Sequence, residues 1–268
     1  MKALRIFSGI LILTFLAAAC TPATSTPVAT TESPASTLPD LGGRKIIVAI
    51  ENAYPPFNSI DETTNQGIGW DYDVFQEICK ILNCVPLMTE AAWDGIFEAT
   101  AAGQYDVVAD GVTITADRKK TVAFSDPYMS ITQVILVRAD ETRFTDSKTL
   151  AAQTDLIVAT QLGTTNAIKA AEVVGEGRVN EFDTFDGAVL ALLSGDADAV
   201  ILDQEPALGF MDKNPGKLKI LDEKLQGDQL GFVFKKGSDL IAPINAAMAV
   251  LKANGTLDNL YQKWWPNK

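Results

Sequence analysis

From Lys45 onward short apolar runs alternate with stretches of helical periodicity, and this alternation restricts the chain to an α/β fold with a largely parallel sheet. KIIVAI at 45–50 reads as a buried strand. Over 71–82 the residues Val74, Ile78, Ile81 and Leu82 recur at helical spacing. VPLM (85–88) predicts a second strand, WDGIFEATAAG (93–103) a helix stopped by Gly103, and DVVA (106–109) a third strand. A second series begins near Ile131, with strands TQVILV (132–137), LIVAT (156–160) and AVIL (199–202). Helices are predicted at 165–174, in DGAVLALLSG (186–195) and from Asp203 onward. LKIL (218–221) and GFVF (231–234) follow as strands, then a long helix stopped by Gly255 and a last one carrying aromatics on one face. An apolar content of 47% over 268 residues suffices for one large core or two ordinary ones.

The first residues follow an export pattern: basic Lys2 and Arg5, an apolar run over 6–16, then Ala17, Ala18 and Ala19 before Cys20. That run is too short to span a bilayer comfortably. The segment resembles the bacterial lipoprotein box, in which the cysteine is lipid-modified and becomes the first mature residue; Ala17 stands where that box usually has Leu. The bland alternative for Cys20 is an incidental cysteine within a signal peptide. Residues 20–40, rich in Ser, Thr, Pro and Ala, have almost nothing to bury and are expected to be a disordered tether. Loss of 1–19 takes the 22 Lys and Arg to 20 against 34 Asp and Glu, which speaks against nucleic acid as a partner. The absence of His removes the commonest zinc ligand and general base, so neither a metal nor a cofactor is expected. Cys79 and Cys84 are either two buried thiols or, in an exported protein, a local disulfide.

Four ordered motifs carry a resemblance over 45–265: GWDYDVFQEICKIL (69–82), ADGVTITADRKKTVAFSDPY (109–128), QLGTTNA (161–167) and AVILDQEPA (199–207). In these the chain resembles the polar amino-acid-binding proteins of bacterial ABC importers, the extracellular solute-binding proteins of family 3. Trp70 and Tyr72 are bulkier than is usual at their positions in the first motif. The resemblance implies a type II periplasmic-binding-protein fold, α/β, with two lobes of mixed, mostly parallel sheet flanked by helices and joined by two strands. Lobe one is expected at 41–132 and 230–268 and lobe two at 133–229, with the crossings near 130–134 and 226–231. It also implies a monomer anchored outside the cytoplasm by lipid, at the cell surface or in the periplasm, which delivers a free amino acid to permease subunits.

A free amino acid offers a carboxylate and an ammonium on one carbon, so its receptor needs a cation or donors for the first and an anion for the second. Arg118 can grip a carboxylate with a planar fork of N–H groups, although on spacing alone it is a surface residue in the run RKK. Gly163, Thr164 and Thr165 lie between a predicted strand and helix, where unpaired backbone N–H groups favour an anion and where either threonine can cap the helix. By resemblance, Thr113 and Arg118 from lobe one and Thr165 from lobe two share the ligand carboxylate, while Asp203, otherwise a helix cap, accepts the ammonium together with the Gly111 carbonyl. Tyr54 and Trp93 are expected to sandwich the ligand side chain and Trp70 to close the pocket floor or fill lobe one. Glu51 becomes the discriminating residue, attracting a cationic or amide group and repelling an acid. This favours arginine or lysine over glutamine or histidine, with the lobes closing on the ligand.

Two other readings share the fold. One is an enzyme similar to cyclohexadienyl dehydratases, for which Glu51 and Glu205 are the available general acids. The other is a ligand-sensing module that signals through a separate partner.

Overall fold

The computed structural model describes residues 38–266. The expected leader, Cys20 and the tether up to residue 37 lie outside the described residues. Among the described residues no helix is long and apolar enough to cross a membrane.

The strand Arg44–Ile50 buries Ile46, Val48 and Ile50 and pairs in parallel with Cys84–Glu90 on one side and Val107–Val108 on the other. Val233–Phe234 and Ala123–Phe124 complete this sheet with antiparallel pairings. The helix Trp70–Leu82 buries Val74, Phe75, Ile78 and Leu82, the apolar stripe its spacing predicts. It starts at Gly69, whose φ is 141°; a Cβ there would stand 2.1 Å from the Phe57 carbonyl oxygen, so only glycine fits. It ends at Asn83 in the left-handed conformation, and Cys79 and Cys84 are bonded across that end. The C-terminal helices Ile241–Ala253 and Thr256–Trp264 pack back on it.

Lobe two has the strand order Val179–Phe182, Val158–Gln161, Ala199–Asp203, Met129–Arg138, Leu218–Leu230. The first three are parallel and the last two antiparallel. The long pair Met129–Arg138 and Leu218–Leu230 joins the lobes: the Met129 and Leu230 ends meet lobe one, where Ile114 N–H donates to Gln229 O at 2.8 Å and Tyr128 N–H to Leu230 O at 3.0 Å.

Three elements depart from expectation. The helix expected over 93–103 spans only Ile96–Ala101, because Gly95 at φ 79° turns the chain just before it, which leaves Trp93 in the preceding turn. The strand begun by LKIL continues to Leu230 through polar residues, two shifts in register letting an alternating exposed segment keep its pairing. A small antiparallel sheet of Ala53–Tyr54, Asn58–Ile60 and Gly67–Ile68 lies where no strand is expected, its strands being two or three residues long.

Candidate functional site

The carboxyl ends of the parallel strands of both lobes meet around one small cavity. Of the residues expected there, Glu51, Tyr54, Trp93, Gly111, Thr113, Arg118, Thr165 and Asp203 all line it. Trp70 does not. It is 2% exposed and stacks on Tyr128 at 5.0 Å and Phe232 at 6.4 Å, because the first turn of its helix faces the lobe-one core. The expectation of a pocket floor is therefore corrected to core filling.

Arg118 lies in a short 3-10 turn, Arg118–Lys120, with its guanidinium 5.2 Å from the Trp93 ring centre and 4.7 Å from that of Phe97. One Nη1–H donates to Thr113 O at 2.8 Å and an Nη2–H to Gly163 O of lobe two at 3.4 Å. Burial lowers its pKa to about 10, an effect that Asp203 opposes, so the group is cationic at neutral pH. The Trp93 and Phe97 rings meet edge to face with centres 5.4 Å apart.

Across the cavity, the helix Thr165–Val174 opens with Thr164 as its cap, accepting from Ala167 N–H at 3.1 Å. That leaves Thr165 facing the cavity, where its hydroxyl oxygen accepts from Gln133 at 3.1 Å and keeps its own proton to donate. Asp203 sits before the helix Gln204–Lys213 and makes no side-chain cap bond, which corrects the capping alternative. Its carboxylate instead accepts from Tyr54 Oη–H at 2.5 Å and Asn166 Nδ2–H at 3.0 Å. Those bonds use two of about four acceptor positions and leave room for a further donor. Desolvation pushes its pKa up to about 7 against those two bonds. Gly111, at φ 54°, lies under Tyr54; a Cβ there would come within 2.7 Å of the ring.

Five lining residues were not among the expected ligand contacts: Asp110, Gln161, Asn166, Phe185 and the helix cap Thr164. Gln161 Nε2–H donates to Glu51 Oε1 at 2.6 Å, tying the lobes together, and Phe185 stacks on Tyr54 at 5.3 Å. Asp110 is 3% exposed and accepts from Asn58 Nδ2–H at 2.7 Å. Asn166 and Gln161 fall inside a motif already singled out, but nothing in the order of residues shows which of them points into the cleft.

Burial raises the pKa values of Glu51, Asp71, Asp110 and Asp203. A carboxyl whose folded pKa is raised binds more protons folded than unfolded, so stability falls as pH rises through that interval, from about 4 to about 7 for Asp203. Glu141, held down to about 2 by Arg143, acts oppositely and loses its contribution as pH falls below the ordinary glutamate range. The ligand-free protein is therefore expected to have a higher urea midpoint at pH 5 than at pH 8; the reverse order would show that these carboxyls are not buried as described.

The sequence profile of the bacterial extracellular solute-binding proteins, family 3, matches residues 46–267. The ABC transporter arginine-binding protein 1 of Escherichia coli is 27% identical over 83% of this chain and 91% of its own length. A mutant of ArgBP from T. maritima superposes with a TM-score of 0.76 at 36% identity, over 83% of this chain and 96% of that one. The arginine-, lysine-, histidine-binding protein ArtJ from Geobacillus stearothermophilus superposes with a TM-score of 0.78 at 28% identity, over 84% and 96%.

Proposed function

The chain belongs to the bacterial extracellular solute-binding proteins of family 3, and from that premise we propose that it binds a free L-amino acid with a cationic side chain between its lobes and hands it to an ABC importer. One observation carries the reading: Arg118 of lobe one and the carboxylate of Asp203 in lobe two line the same cavity. A fixed cation and a fixed anion on one cavity complement the two charged ends of an amino acid. In a desolvated site each charge-assisted bond contributes about 1.5–3 kcal/mol. Thr113, Thr165 and the Gly111 carbonyl supply the remaining polar partners.

Arginine and lysine come ahead of glutamine and histidine because the cavity lining carries Glu51 and Asp110 besides Asp203, and Arg118 is its one basic residue among the described residues. The relatives named for arginine, lysine and histidine support the same choice. The contacts between Tyr54 and Asp203 and between Glu51 and Gln161 hold the lobes together, and ligand must reach the cavity by their opening about the two connecting strands. Lipid attachment at Cys20 and a tether over 20–40 would keep the carrier at the membrane where permease subunits lie.

A thermal-shift panel of the common amino acids tests the reading, since a ligand well above its dissociation constant raises the melting temperature. Arginine or lysine is expected to give the largest rise; no rise with any amino acid would refute the proposal. Glu51→Gln is expected to weaken L-arginine about 10-fold, the equivalent of one charge-assisted bond, and to weaken L-glutamine less. Equal L-arginine affinity of variant and wild type in calorimetry would remove Glu51 from the site.

A further inference from the structure

Behind the cavity wall lies a chain of acids that binding of the amino-acid backbone does not require. Asn58, fully buried in the small three-stranded sheet, donates through Nδ2 to two carboxylates at once: Asp110 Oδ1 at 2.7 Å and Asp71 Oδ2 at 3.0 Å. Asp71 is fully buried in the first turn of the helix Trp70–Leu82. Asp110 lines the cavity, and its Oδ2 is buried without a hydrogen-bond partner, the Glu51 backbone amide acting on the carboxylate from a longer range. Glu51 lines the same wall, held by Gln161 from lobe two. The charges acting on these three groups are all acidic: Asp110 on Asp71, and Asp110 with Asp186 on Glu51. The other side chains that meet them are neutral, namely Asn58, Gln161 and the phenols of Tyr54, Tyr72 and Tyr128. Arg118 is directed elsewhere, toward Asp203 and Asp228.

Three carboxyls this close, two sharing one neutral donor and none facing a cation, cannot all be charged at modest cost. A cationic side chain reaching the orphaned Asp110 oxygen would supply the missing charge. We propose that Asp110 and Glu51 form a two-carboxylate subsite for a cationic ligand side chain, braced through Asn58 by Asp71, and that entry of the cation expels a proton from this cluster to solvent. The carboxyl O–H bond breaks, the proton passes to a buffer base, and the carboxylate pairs with the incoming guanidinium or ammonium. The raised pKa values of Glu51, Asp71 and Asp110 agree with a cluster that holds a proton near neutrality. The α-ammonium of either amino acid displaces protons from Asp203, whose folded pKa is about 7, so the cluster's share is the excess release with L-arginine over L-glutamine, whose side chain is neutral. This inference rests on the proposed amino-acid site and adds a proton to its binding equilibrium.

Calorimetry of L-arginine and of L-glutamine at pH 7.5, each in phosphate and in Tris, tests it on the wild-type protein. Proton release makes the L-arginine heat differ between buffers in proportion to their ionisation heats, and weakens L-arginine binding as pH falls from 8 to 6. A buffer dependence no larger for L-arginine than for L-glutamine would overturn the inference while leaving the amino-acid site standing. No binding of either amino acid would overturn both. Asp110→Asn is expected to cut proton release at least two-fold and to lower the L-arginine to L-glutamine affinity ratio about 10-fold. An unchanged ratio in a variant that melts like wild type would exclude Asp110 from the subsite.

Discussion

Replacing Arg118 with alanine is expected to weaken binding of the amino acid by about 100-fold or more, the loss of roughly 3 kcal/mol from two charge-assisted bonds. The guanidinium is already placed before ligand arrives: Trp93 and Phe97 support it, and Thr113 O accepts from its Nη1. Little conformational entropy then remains to be lost on binding. Arg118→Lys should recover only a small part of the affinity, because an ammonium can neither stack a planar face on an aromatic ring nor present two parallel N–H groups. Lobe one should remain folded in both variants, since the side chain stands at the rim of the cavity rather than within the core. Calorimetry with L-arginine measures the loss; a variant within about three-fold of wild type would show that the carboxylate is held elsewhere.

Asp203→Asn is expected to act in opposite directions on affinity and on stability. Affinity should fall about 100-fold, because the ammonium loses a buried counter-charge. The empty protein should become more stable at pH 8, by an amount on the order of 1–3 kcal/mol. The sign follows from the folded pKa of about 7: above that pH Asp203 is charged in a site 2% exposed, and the unfolded chain carries the same charge in water at no such cost. Asparagine keeps the shape, and its amide can accept from Asn166 and donate to Tyr54 in place of the two present bonds. A melting temperature that rises while the L-arginine-induced shift disappears is the expected pair of readings. A lower melting temperature would mean that the charged carboxylate holds the lobes together more strongly than burial opposes it.

The architecture is legible in the sequence because its strands and helices are long and their apolar periodicity strong. AVIL is buried on both faces, KIIVAI buries Ile46 and everything from Val48 on, and the helix of Val74, Ile78 and Leu82 has one apolar stripe. The small sheet around Asn58 was not legible, since strands of two or three residues have no period to read. Single conformational choices also escape: Gly95 reads as part of a helix until its positive φ is known. At the site, charged and aromatic residues at strand ends point to the cavity, and eight of the nine expected side chains or backbones line it. Trp70 fails because composition cannot distinguish an aromatic facing a cleft from one facing a core. Asp110 is not legible because its pairing with Asn58 joins residues 52 positions apart.

The central claim is that the two charged ends of one ligand are divided between Arg118 and Asp203. The most direct measurement compares the wild-type protein's affinity for L-arginine with that for agmatine, which lacks the carboxylate, and for δ-guanidinovalerate, which lacks the α-ammonium. Each truncated ligand is expected to bind about 100-fold more weakly or worse. Affinities for either that match L-arginine within a few-fold would contradict the account.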